Sequence, residues 1–189
     1  MDTFDGQQEG ERVLYIVTPH AIAKQLAIAR IIFLAVFFFA VLWVIGTIVP
    51  SFAGMLTIIG LLLSLILLFV GIWWNITVYK KSKTYITDRR IIRFDVVSPF
   101  FMTKRALFWN EALKAKAYSP NFLFRSMNIG TIDVEPQVAT GEDVRVTDVY
   151  YFDDLANYID KILFTFKNSP ADIAAMKPFV PKGKGQRDS

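Results

Sequence analysis

The sequence predicts a membrane-spanning α-helical hairpin followed by a mainly β domain that ends in an α-helix. That expectation rests on two uncharged apolar runs a few residues apart, on short β-branched and aromatic segments punctuated by turn residues, and on one late amphipathic pattern.

The first run, Ile31 to Val49, carries no charge. At 1.5 Å per residue it covers roughly 28 Å, about the hydrocarbon thickness of a bilayer. With about −0.5 kcal/mol for each central Leu, Ile, Val or Phe, insertion is favoured by several kcal/mol. After Pro50-Ser51-Phe52-Ala53-Gly54 a second uncharged run, Met55 to Trp74, repeats the length. So short a connection requires antiparallel helices. The first run starts late, is too long and lacks a basic leader, which argues against a signal peptide. Core helices of a soluble domain rarely stay uncharged over this length.

Lys24 and Arg30 precede the first span and Lys80, Lys81 and Lys83 follow the second, whereas the connecting turn has no basic residue. The positive-inside rule then places both termini in the cytoplasm, making a multi-pass protein of the cell membrane. Trp43, Trp73, Trp74 and Tyr79 lie towards span ends, as interfacial anchors do. Thr18 and Pro19 read as an N-cap and first helical position, starting the first helix near Pro19. His20, the only histidine, then sits in its first turn at the interface, with no adjacent titratable partner to make it a pH sensor.

Behind the lysines, Lys83 to Thr87 and Arg90 to Val97 read as a hairpin, with Thr87-Asp88-Arg89 as its connection. Ser98-Pro99 breaks the pattern. Thr103 to Trp109 and Ala112 to Ser119 are the next strands, followed by a short apolar turn, Phe122 to Met127. Gly130 to Glu135 alternates as a half-buried strand does, and Gly141-Glu142-Asp143 turns into Val144 to Val149. Asp153 is the expected N-cap of the closing helix, whose Leu155, Ile159, Ile162, Leu163 and Phe166 share one face. Glu11 to Val17 also has strand composition, compatible with a strand added to the sheet or with a segment lying on the membrane. From about Ser169 the prolines, glycines and lysines predict a basic, mobile tail, with Ile173 to Met176 and Phe179-Val180 as short docking points. The chain thus divides into an N-terminal segment (1–18, with a strand at 11–17), a hairpin (19–79), a cytoplasmic β domain (80–166) and a tail (167–189).

The net charge of +4 is unevenly distributed, with 3 basic and 4 acidic residues before Ile31, none from 31 to 79, 13 and 11 from 80 to 165, and 5 and 2 thereafter. The surplus flanks the membrane and occupies the tail, which suits an anionic leaflet better than nucleic acid. With no cysteine, disulfides, Cys-ligated zinc, iron–sulfur clusters and cysteine nucleophiles are excluded. Asp133, Glu135, Glu142, Asp143, Asp148, Asp153 and Asp154 are explained by strand alternation and turns rather than by metal or acid–base work. Gly183-Lys184-Gly185 lacks the context of a phosphate loop. No catalytic residue, metal site or cofactor is expected, and neither span holds an ionisable residue for transport chemistry.

Thr84 to Ile92 (TYITDRRII), placed behind a two-helix hairpin, together with Leu107 to Tyr118 (LFWNEALKAKAY), Leu123 to Glu135 (LFRSMNIGTIDVE) and the helix from Asp153, resembles the bacterial pleckstrin-homology-like domain family in its membrane-anchored form. The resemblance covers most of residues 11 to 166. It implies a partly open β-barrel or sandwich of about seven strands capped by a C-terminal helix, with no catalytic residues to carry over. Asn128 stands where that pattern has an apolar residue or glycine.

The basic set Lys80, Lys81, Lys83, Arg89, Arg90, Arg93, Lys104 and Arg105 is the candidate contact for an anionic headgroup or phosphorylated ligand, at about 1 kcal/mol per well-placed residue. Setting topology and solvating a sheet face is sufficient reason for the same charges. The expected function is a non-enzymatic, membrane-tethered interaction module that binds a protein partner or a second copy of itself. Anionic-lipid recognition and service as an accessory subunit of a membrane transport or envelope complex are the alternatives.

Overall fold

The computed structural model describes residues 3–138 and 141–181. The chain forms two compact units, one of Ala21–Lys81 with Val97–Phe101 and one of the remaining segments.

The first unit is a helical hairpin. Helix α1 spans Ala21–Ile48 and α2 spans Ala53–Lys81, joined by the 3₁₀ turn Pro50–Phe52. Both are long and apolar enough to cross a membrane. They are longer than the uncharged runs because Lys24 and Arg30 lie inside α1 and Lys80 and Lys81 in the last turn of α2. Small residues form the seam. Ala35 is buried, Gly60 lies against Leu42 and Phe39, and Ser64 Oγ donates to the Ala35 carbonyl at 3.0 Å. Close backbone approach of this kind is how helices associate where no hydrophobic driving force exists between them.

Among the described residues of the second unit, seven antiparallel strands form two sheets. One has the order β1-β2-β3-β4, with β1 Val13–Val17, β2 Lys83–Thr87, β3 Arg90–Ser98 and β4 Phe101–Phe108. The other has the order β5-β6-β7, with β5 Ala112–Tyr118, β6 Ile129–Pro136 and β7 Val144–Tyr150. Among the described residues the sheets do not close into a barrel. Ile86 and Ile91 from the first sheet share one core with Ile132, Val134 and Val146 from the second. Short helix α3, Phe122–Ser126, is capped by Asn121, whose side chain accepts the Phe124 N–H at 2.9 Å. Helix α4, Phe152–Asn168, buries Leu155, Ile159, Ile162 and Leu163 in the shared core.

Of the expected strand Glu11 to Val17, Val13–Val17 forms β1, which pairs antiparallel with β2, Val17 opposite Thr84. Three local expectations are corrected. Helix α1 begins at Ala21 rather than near Pro19, because the His20 N–H donates to the Asp148 carbonyl at 2.8 Å and holds this stretch against β7. Asp153 is not the N-cap of α4. Tyr151 occupies that position with φ 54° and no capping side chain, leaving Asp153 and Asp154 in the first turn, where the dipole favours their charge.

The third correction concerns the tail. The chain after Asn168 makes a 3₁₀ turn, Pro170–Ala175, and Ile173 and Met176 are buried. Arg12 Nη2 donates to the carbonyls of Ile173 (3.0 Å) and Met176 (3.2 Å), and Tyr158 OH to that of Lys177 (2.7 Å). Phe179 packs edge-on to Tyr15 and against Tyr158. A few apolar anchors with satisfied carbonyls suffice to order a segment whose composition alone argues for mobility. Gly183 to Gly185 lie outside the described residues.

Candidate functional site

The order of β6 and β7 sets the first recess. Gly130 pairs with Val149 and Ile132 with Val146, so Thr147 and Asp148 together oppose Thr131 in a bulge. Asp148 takes φ 58° there, as does Asn128 just before β6, a left-handed conformation that Asn and Asp tolerate better than other non-glycine residues. Gly130 itself is constrained by space, since a Cβ there would come within 2.5 Å of the Phe152 ring.

The bulge aims Asp148 towards Arg93 and His20. Burial pushes the Asp148 carboxyl above the usual aspartate range, and the charges of Arg93 and His20 only partly offset this. His20 also packs against Tyr150 in a tilted arrangement, ring centroids 5.2 Å apart. The neighbouring cleft, lined by Pro19, Lys83, Thr84, Arg93 and Thr147 among others, has a volume of about 20 Å³. That accommodates roughly one water and no headgroup.

The basic set is dispersed into separate roles. Arg90 is buried in a bidentate ion pair, its Nε and Nη2 each 2.9 Å from a Glu11 carboxylate oxygen, with its guanidinium 5.3 Å from the centre of the Phe108 ring. Arg93 pairs with Asp95, which Arg105 approaches at 3.7 Å. Lys104 Nζ donates to the Asp5 carbonyl at 2.8 Å and stands over the Phe94 ring. Arg89 donates to the Gln8 side chain at 3.2 Å and Lys81 to the Pro99 carbonyl at 2.8 Å. Lys80 and Lys83 are exposed. Of the residues expected as aromatic anchors, Trp43, Trp73 and Trp74 are exposed along the helices and Tyr79 is half-buried.

Other carboxylates are used in pairs across or beside the strands. Arg145 binds Asp133 at 2.8 Å and Asp143 at 3.6 Å, and Glu135 pairs with Lys116 and, at 3.7 Å, with Lys114. Among the described residues no group of three or more His, Asp or Glu is placed to hold a metal ion.

The larger recess is an open groove of about 1030 Å³ between the outer face of α4 and the ordered C-terminal segment. Asp154, Lys161, Phe164, Lys177 and Val180 are among its lining residues. Phe164 is 69% and Val180 74% exposed, so it offers apolar contact with charges of both signs at its margins. The sequence pattern assigned α4 an inner face and gave Ile173 to Met176 and Phe179-Val180 as docking points of the tail, which Ile173, Met176 and Phe179 are, but it gave no sign that the docked segment forms one wall of a groove along α4. The Glu11–Arg90 pair was equally hidden, its partners being 79 residues apart. No family model, curated protein or solved structure matches the chain.

Proposed function

We propose that the chain is a non-enzymatic, membrane-anchored interaction module of pleckstrin-homology-like type. Its hairpin spans the cell membrane with both termini cytoplasmic, and the β unit engages a protein partner. The observation that carries this reading is the outer surface of α1 and α2: Phe33 is 67%, Phe69 75% and Ile66 58% exposed, in helices that pack on each other. Apolar area of that extent is unfavourable in water and satisfied by acyl chains. Two sheets with a C-terminal helix agree with the architecture that the resemblance implies.

For the partner, the α4 groove supports a protein segment. Open along one side at about 1030 Å³, it lacks the enclosure by which small-molecule pockets bury most of their ligand's surface. The lipid-headgroup alternative draws on exposed Lys80 and Lys83, but most other members of the basic set already bond within the protein.

Alkaline extraction of native membranes tests the anchor: the chain is expected in the pellet until detergent is added, and release by carbonate alone overturns the reading. A maleimide probe on Glu142→Cys should react only after the cells are permeabilised. Thiol-to-amine cross-linking from Phe164→Cys should trap an adduct that Val180→Asp on the opposite wall abolishes. An adduct at twice the chain mass identifies a second copy, and no adduct overturns the interaction role.

A further inference from the structure

The connection between β3 and β4 presents a cluster of large apolar side chains outward. Val97 is 71%, Phe100 76%, Phe101 74% and Met102 53% exposed. The tip is ordered: Ser98 Oγ accepts the N–H groups of Phe100 (3.3 Å) and Phe101 (3.1 Å), so the aromatics are held in place by a built turn. Strand tips exposed to water are ordinarily polar, and an exposed apolar cluster marks a contact surface.

Residues 97–101 belong to the helical unit. Phe100 lies against Trp73, ring centroids 6.3 Å apart, and Lys81 Nζ binds the Pro99 carbonyl at 2.8 Å. Trp73 stands eight residues before Lys81, roughly 12 Å along the helix. The tip therefore runs beside α2 from its basic last turn back to a tryptophan of the apolar stretch.

We propose that the β3–β4 tip is a third membrane element, with Val97, Phe100, Phe101 and Met102 seated at the headgroup and acyl boundary of the leaflet in which α2 ends. This rests on the hairpin spanning the membrane. The occupant of the apolar surface is lipid, because the surface is continuous with the flank of α2 at Trp73 and a lysine marks its outer limit, as at a membrane interface.

The chain contains no cysteine, so single-cysteine variants of the full chain report cleanly. Phe101→Cys, Ile66→Cys and Glu142→Cys are each labelled with an environment-sensitive fluorophore in phosphatidylcholine/phosphatidylglycerol vesicles. Quenching by shallow nitroxide lipids is compared with quenching by aqueous iodide. The probe at 66 should be quenched by lipid and the probe at 142 by iodide. At 101, blue-shifted emission with lipid quenching at least twice that at 142 is expected. If 101 behaves like 142 while 66 is lipid-quenched, the tip is in water and this inference alone fails. Shielding of 101 from both quenchers means a second copy covers it, which also overturns the inference. If 66 is iodide-accessible, the membrane-spanning reading falls with it.

Discussion

Replacing Glu11 by Ala should destabilise the β unit by about 3–5 kcal/mol, the cost of stranding one member of a buried ion pair. The size follows from the geometry. The side chains of Arg90 and Glu11 are 9% and 0% exposed, and Arg90 Nη2 also donates to the Gly6 carbonyl at 2.8 Å. Glu11 additionally accepts from the Gln8 N–H at 2.8 Å and the Thr87 hydroxyl at 2.9 Å. Truncation therefore leaves the buried Arg90 guanidinium without its counter-charge and the Gln8 N–H without its acceptor, whereas the Thr87 hydroxyl keeps the Arg90 carbonyl at 2.9 Å. Replacing both charges, as Glu11→Leu/Arg90→Met, should recover most of the loss, since a well-packed apolar pair avoids the desolvation penalty.

The assay is pulsed thiol labelling of Val134→Cys, at a fully buried core position, across a denaturant series in detergent. Acid supplies an independent arm. Burial by itself would raise the Glu11 carboxyl, but hydrogen bonds from Arg90, Gln8 and Thr87 hold it below the usual range. A lowered folded value means the contribution is present above the unfolded carboxylate value of about 4.3 and lost as pH falls through the folded one. The wild type should therefore lose its advantage over Glu11→Ala in acid, while the double variant keeps a flatter profile. A loss below about 1 kcal/mol for Glu11→Ala, within the range of an exposed ion pair, would refute the reasoning.

Two further outcomes follow from other sites. Gly60→Leu places a side chain where Leu42 atoms already lie 3.3 Å from a Cβ, so it should cost about 1–3 kcal/mol of hairpin packing. The readout is earlier thiol reactivity of Ala35→Cys as SDS is raised, and an unchanged midpoint would contradict the small-residue seam. Asp148→Asn should raise the melting temperature at neutral pH, because burial raises the carboxyl of Asp148 and penalises its charged form. That penalty disappears as pH falls below the unfolded carboxylate value, so the wild type should approach the variant in acid; parallel profiles from pH 8 to 4 would contradict it.

The amino-acid order alone determined what depends on local pattern. Uncharged runs made α1 and α2 legible, alternation and turn residues placed β2 to β7 to within a few residues, and the spacing of Leu155, Ile159, Ile162 and Leu163 showed the inner face of α4. These signals are local because insertion, pleating and amphipathicity each depend on residues a few positions apart. Tertiary structure alone decided the rest. Whether Glu11 to Val17 joined a sheet depended on the β2 edge some 70 residues later in the chain, with Val17 opposite Thr84. Arg90 looked like a ligand contact until its distant carboxylate was found, and the C-terminal segment looked mobile until Arg12 and Tyr158 were seen to bind its carbonyls. A cation's role is set by the charge it meets and a segment's order by the surface it covers, and both come from elsewhere in the chain, brought together only by folding.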